Sequence, residues 1–479
     1  MLFCSITFIY VFLPILFAVY LFVRHDLRNY VLLIASLIFY AWGEPRYLII
    51  MLFSILCNYI FGIVIENSYK SNSYYKIMGG GKPLFFLVIG IVANLAILSY
   101  FKYFSFLIEN FNLLFKSNID IVKVVLPIGI SFYTFQSISY LMDVYRQEVK
   151  AQRDLPKLAL YITLFPQLIA GPIVKYHDIS QQIESRYLNF DNITCGIKRF
   201  VIGLSKKMLI ANPMGAVADK IFAQNADSFS PGIAWMGAIC YSLQLFFDFS
   251  GYSDMAIGLG KIFGFTFKEN FNYPYISKSI SEFWRRWHIS LSTWFKEYLY
   301  IPLGGNKKGN RRTYLNLGIV FLLTGLWHGA AWTFVFWGIW HGLFIIIERY
   351  FGLNKDNSQK PLYQRVLLHL YCILVFVVGW VFFRSPDLQY GFNYVLNMFC
   401  ILPHQENLYK IWYYVDVIPI ITFIVAIFLT MPLGKLCYEK ASNNSICLWI
   451  INLLLYGLFI LSTAEIATTT YNPFIYFRF

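Results

Sequence analysis

Charge is what this chain has least of. Only 13% of its 479 residues are Asp, Glu, Lys or Arg, against 58% that are hydrophobic, and a soluble fold of this length has no interior large enough for so much apolar surface. No polar stretch is long enough to make a separate soluble domain. Acid is scarcer than base, 25 residues against 39, for a formal charge of +14. The Lys and Arg residues sit in short connecting loops, which suits the positive-inside rule and anionic lipid headgroups; there is no basic arm of the kind nucleic-acid binding would need. The eight cysteines, at 4, 57, 195, 240, 372, 400, 437 and 447, form no C-x-x-C pair and lie mostly in apolar runs, so neither a disulfide framework nor a zinc ribbon is expected. An internal repeat is missing, which withdraws support from an inverted-repeat transporter. A hydrolase-type serine elbow is missing too, because Gly251-Tyr-Ser253-Asp-Met255 ends on Met where the motif needs Gly. The glycine run Gly79-Gly-Gly-Lys82 lacks phosphate-loop spacing and reads as a flexible loop.

What is present is membrane hydrophobe. Apolar runs long enough to cross roughly 30 Å of hydrocarbon recur from residue 5 to residue 463, which predicts an all-α, multi-pass integral membrane protein with about ten to twelve spans, some re-entrant or interfacial. The whole of 1–479 reads as one membrane-embedded domain. The first run, Ile6 to Val23, has no basic segment ahead of it and is followed by Arg24, His25 and Arg28; it is expected to be a retained first helix with its N-terminus outside.

Two regions break the apolar monotony with proline, glycine and polar residues. Leu126-Pro-Ile-Gly-Ile-Ser131-Phe-Tyr-Thr-Phe-Gln136 and Leu164-Phe-Pro-Gln167-Leu-Ile-Ala-Gly171-Pro172 would interrupt helices at membrane depth, which is tolerated where the backbone lines a protein cavity. Gln136 and Gln167 are the polar groups such a cavity could use; kinked packing helices are the plainer alternative. Further on, Asp248 and Asp254 stand in the apolar run Tyr241 to Gly260, where a carboxylate is costly unless functional or paired with a base. A non-catalytic transporter or flippase would use these two aspartates along its pathway.

The sharpest signal is a set of tryptophan-flanked histidines. Phe283-Trp284-Arg285-Arg286-Trp287-His288, Leu326-Trp-His328-Gly-Ala-Ala-Trp332 and Trp337-Gly-Ile-Trp340-His341-Gly342 contain three of the chain's seven histidines. On a continuous helix the pairs Trp284/His288, His328/Trp332 and Trp337/His341 would each share a face, laying imidazole on indole. That contact favours the neutral imidazole a general base needs. Metal binding is the competing use, but no Cys, Asp or Glu sits at ligand spacing near His328 or His341, so no metal is expected. Residues 281–312, rich in Lys and Arg, read as an interfacial helix meeting headgroups or an acidic partner.

At these motifs, together with Asp248-Phe-Ser-Gly-Tyr-Ser-Asp-Met-Ala256, the chain resembles the membrane-bound O-acyltransferase family, most closely its bacterial branch that acylates cell-surface polymers. The resemblance implies a ring of membrane helices around a funnel, in the cytoplasmic membrane, with a cytoplasmic acyl donor and an extracytoplasmic glycan acceptor approaching from opposite sides. It implies acyl transfer, most simply of acetyl, from acetyl-CoA or an acyl-carrier thioester as donor substrate, with no bound cofactor. It assigns the essential base to His328 and a second functional histidine to His288, with a supporting role for His341. D-alanyl transfer to teichoic acid from a carrier protein is the alternative within the same branch. The tail Phe474-Ile-Tyr476-Phe-Arg-Phe479 is similar to a motif of the D-alanyl system's small partner, which would make Tyr476 a transient acyl acceptor in the funnel; an aromatic membrane anchor is the alternative. Final transfer to the polymer would then fall to a separate periplasmic, esterase-like partner protein.

Overall fold

The computed structural model describes residues 1–70, 81–121, 124–353, 360–401, 409–441 and 444–469, and among them it contains helices and no strand. Helices are what an apolar chain must form in lipid, because each satisfies its own backbone hydrogen bonds. Among the described residues, five helices are long and apolar enough to cross a membrane: Pro45–Tyr69, Lys82–Phe115, Pro231–Ile262, Leu362–Arg384 and Ser445–Thr468. A sixth span arises if Val417–Leu429 and Leu433–Ala441, bent by 70°, count as one. The remaining apolar segments are shorter or broken. The tail that carries Tyr476 lies outside the described residues.

The described residues cluster in two compact units, one of 1–200 with 255–268, the other of 201–254 with 269–479. In the first, the helices Leu48–Lys70, Lys82–Phe115 and Ile130–Tyr145 pack together. The first two are joined by a buried amide pair in which Asn58 Nδ2 donates to Asn94 Oδ1 at 3.0 Å and Asn94 Nδ2 returns the bond at 2.8 Å. Gly129, at φ +75°, opens the helix Ile130–Tyr145, and a Cβ there would stand 2.7 Å from the Leu168 carbonyl oxygen. Only glycine permits that approach, so the two Pro/Gly motifs of this unit pack directly on one another.

In the second unit the tightest packing is between Gly309–His328 and Trp332–Tyr350. Gly325 and Gly338 face each other there, and a Cβ on either would collide with backbone of the opposite helix, at Phe334 and Phe321 respectively. Small residues at such a crossing are how helices gain contact where lipid supplies no hydrophobic drive between them.

Candidate active site

The segment expected to be one interfacial helix is broken, and its first part is turned inward. Ile280–Arg286 and Ile289–Phe295 are two short helices separated by Trp287 and His288, and His288 takes a left-handed backbone at φ 42°. The first helix is set in place at its start. Ser279 Oγ accepts from Glu282 N at 3.0 Å, while the fully buried carboxylate of Glu348 accepts from Ile280 N, from Ser281 N at 2.9 Å and from Ser281 Oγ at 2.7 Å. A buried carboxylate is stable when a helix N-terminus supplies its donors. The result carries Phe283, Trp284, Trp287 and His288 inside. The basic residues from Lys307 to Arg312 are exposed, as expected, but the histidine is not among them.

All three motif histidines are brought together, two of them by different neighbours from those the spacing predicts. His288 cannot lie on Trp284, because the helix ends at Arg286; it packs edge-on to Phe249 at 4.6 Å and against Trp327 at 6.1 Å. His328 ends its helix and Gly329 is extended, so Trp332 starts a new helix and is 54% exposed, away from the imidazole. Instead His328 meets Trp327 at 5.0 Å, Trp337 at 4.9 Å and Phe383 at 5.2 Å. Only His341 keeps its expected partner, Trp337, at 5.1 Å within one helix. The rings therefore run without a break from His288 through Trp327, His328 and Trp337 to His341. Trp284 closes on His341 at 5.4 Å, and Trp380 packs on both Trp287 at 5.0 Å and Trp337 at 5.6 Å.

These surroundings are apolar and aromatic, and no cation or carboxylate is ion-paired with His288 or His341 among the described residues. Burial lowers the His288 pKa to about 3, which keeps the ring neutral at physiological pH, with one nitrogen lone pair unprotonated. His341 has hydrogen-bond partners at neither ring nitrogen among the described residues. Gly379 leaves it room, since a Cβ there would lie 2.8 Å from its Nε2. His288 Nδ1 lies 3.2 Å from Asn270 Oδ1 and 3.4 Å from Ser290 Oγ, and its Nε2 has no partner among the described residues.

The other expected site residues fall elsewhere. Asp248 and Asp254 are ion-paired, with Lys207 at 2.7 Å and Lys206 at 2.7 Å. The two lysines are adjacent on a π-helical turn, Lys206–Ala211. Arg286 is bound to Glu282 at 2.9 Å, and Arg285 is exposed. Gln136 and Gln167 are buried in the first unit, each with its Oε1 unpartnered among the described residues. The one metal-like cluster among the described residues, Asp143, Glu148 and His177, is also in the first unit and includes none of the motif histidines. Sequence reasoning missed Asn270, Glu348, Lys206, Lys207 and Trp380. Glu348 and the two lysines were visible as charges within apolar runs; Asn270, in the polar stretch Lys268-Glu269-Asn270, gave no signal.

A buried row of imidazoles framed by tryptophans can take a proton from a hydroxyl and return it to a leaving group without exposing either to water. The same residues lie in the segment that other proteins share. Residues 146–383 match the sequence model of the membrane-bound O-acyltransferase family, MBOAT. The probable alginate O-acetylase AlgI of Pseudomonas putida is 40% identical over 507 residues, covering the whole of both chains. The peptidoglycan O-acetyltransferase of Helicobacter pylori is 38% identical over 432 residues, 83% of this chain and 80% of its own. The teichoic acid D-alanyltransferase of Bacillus subtilis is 32% identical over 249 residues, 49% of this chain and 62% of its own. An all-α membrane architecture, the histidine-bearing segment matched by the family and a relative alike from end to end give one answer: the chain belongs to the membrane-bound O-acyltransferase family.

Proposed function

We propose that the protein moves an acetyl group from a cytoplasmic thioester, acetyl-CoA or an acyl carrier, to hydroxyls of a cell-surface polysaccharide on the far side of the cytoplasmic membrane. The observation that carries this reading is the end-to-end likeness to an alginate O-acetylase, supported by the peptidoglycan O-acetyltransferase relative. The D-alanyl transferase likeness is limited to half of this chain, which favours acetyl as the group carried. His328 is the essential base and His288 the second. His341, caged by Trp284, Trp337 and Trp380, keeps the row dry and ordered. A flippase reading loses its main support, because Asp248 and Asp254 are held by lysines.

In this reading an attacking hydroxyl loses its proton to an imidazole, its oxygen bonds to the thioester carbonyl carbon, the C–S bond breaks and the thiolate takes the proton back. Tyr476 is the candidate first acceptor, and a periplasmic esterase-like partner completes transfer to the glycan. The test is direct: a His328→Ala protein present at normal membrane level should give no glycan O-acetylation. Retained acetylation would end the assignment. Radiolabelled acetyl-CoA supplied to purified protein should place label on Tyr476, and a Tyr476→Phe protein with full activity would leave the tail as an anchor.

A further inference from the structure

His288 is held by a network whose orientation can be worked out from one fixed donor. The Ser290 backbone N–H, whose proton position allows no choice, points at a terminal side-chain atom of Asn270 at 3.1 Å. That atom must therefore be the amide oxygen, since the NH2 group would put donor against donor. The same oxygen also receives Ser290 Oγ at 2.9 Å and faces His288 Nδ1 at 3.2 Å. Ser290 Oγ also faces Nδ1, at 3.4 Å, and with its single proton given to Asn270 Oδ1 it can only accept there. Two oxygens facing Nδ1 require the proton on Nδ1, so the neutral ring has its lone pair on Nε2. A second bond from the same residue, Ile289 N donating to the Asn270 carbonyl at 2.9 Å, pins the backbone just after His288 in its left-handed turn.

We propose that Asn270 is the positioning residue that fixes His288 as the Nδ1–H tautomer and so presents Nε2 as the proton acceptor for acyl transfer. The inference rests on the assignment of His288 as a base, and adds the residue that determines which nitrogen serves. The faces packed on the imidazole are the rings of Phe249, Phe271 and Trp327, and no charged side chain is paired with it among the described residues. Burial keeps the ring neutral; Asn270 orients it. In the transfer step Nε2 takes the hydroxyl proton as the C–O bond forms, and gives it to sulfur as the C–S bond breaks, while Nδ1–H stays bonded to Asn270 throughout.

The test uses three full-length variants in lipid nanodiscs, with acetyl-CoA as donor and kcat and KM followed across pH. Asn270→Leu, which removes the acceptor, should lower kcat by about 10- to 100-fold, a part of the 10²–10⁴ that a positioned acid–base group contributes, with KM for the thioester unchanged. Asn270→Asp keeps every hydrogen bond and adds a charge beside Nδ1–H, which raises the imidazole pKa. Its rate should recover at alkaline pH, with the acidic limb of the profile moved upward by one pH unit or more. Unaltered kcat in Asn270→Leu overturns the proposal, as does equal loss in both variants with an unmoved acidic limb, which would mean a purely structural role. His288→Gln separates the two levels. If it is fully active, the base assignment falls and Asn270 with it; if it is inactive while Asn270→Leu is normal, only the role of Asn270 falls.

Discussion

His177 and His288 carry the same imidazole into opposite surroundings. His177 lies between carboxylates, with Nδ1 2.9 Å from Asp143 and Nε2 3.2 Å from Asp178, and the hydrogen bonds to Asp143 and then Asp178 raise its pKa to about 9. His288 lies among Phe249, Phe271 and Trp327, and burial alone lowers its pKa to about 3. At neutral pH the first is a fixed cation in an ion-pair network and the second is a neutral ring able to accept a proton. The same contrast runs through the rest of the protein. Buried charges such as Lys207 with Asp248 are ion-paired and Glu348 is met by a helix N-terminus, whereas the buried imidazole of His288 is lined with aromatics.

The largest expected effect comes from breaking a matched pair. Both side chains of Lys207 and Asp248 are 2% exposed, so Lys207→Ala should destabilise the protein by about 3–5 kcal/mol by taking the paired cation from a buried carboxylate. The double replacement Lys207→Met with Asp248→Leu should recover most of that loss. Thermal unfolding in detergent measures both. A single variant as stable as the parent would mean that these charges are not matched partners, and the contrast with the histidine row would dissolve.

A smaller effect tests the aromatic side of the comparison. Trp337 is fully buried between His328 and His341, whereas Trp332, the partner that helical spacing assigns to His328, is 54% exposed. Trp337→Phe should cost about 1–3 kcal/mol and Trp332→Ala within about 0.5 kcal/mol. A reversed order, read from the shift in unfolding temperature, would return His328 to the neighbour that the sequence suggests.

That reversal marks where sequence reasoning stopped. The all-helical membrane class was legible because 58% hydrophobic residues admit little else, and the histidine motifs stood out as polar groups in apolar text. Their partners were not legible, because the i, i+4 rule presumes an unbroken helix. His288 sits at φ 42° between two short helices and His328 is the last residue of its own; only Trp337 and His341 share one helix. Asp248 and Asp254 announced that they needed partners, yet which lysines reach them depends on the π-helical turn at Lys206–Ala211. Asn270 could not be found at all, since its importance arises from a contact 18 positions away that only the folded turn creates.

A last pair of variants separates the two histidines by pH. The folded pKa of His177, about 9, lies above its unfolded value near 6.5, so the stability it contributes is complete below about pH 6.5 and is lost as pH rises through about 9. Its side chain is 29% exposed, and with allowance for screening the contribution is about 1–2 kcal/mol. His288 has the opposite sign: its folded pKa is depressed, so its neutral burial favours the fold above about 6.5 and counts against it as pH falls toward 3. Replacing His177 with Gln should therefore flatten the stability profile on the alkaline side, between about pH 7 and 9, while leaving acetyl transfer intact. Replacing His288 with Gln should flatten the acid side between about pH 6 and 3 and abolish transfer. If both variants altered the same limb, the two imidazoles would not differ in charge, and the division between matched charges for the fold and neutral rings for the chemistry would fail at the residues that define it.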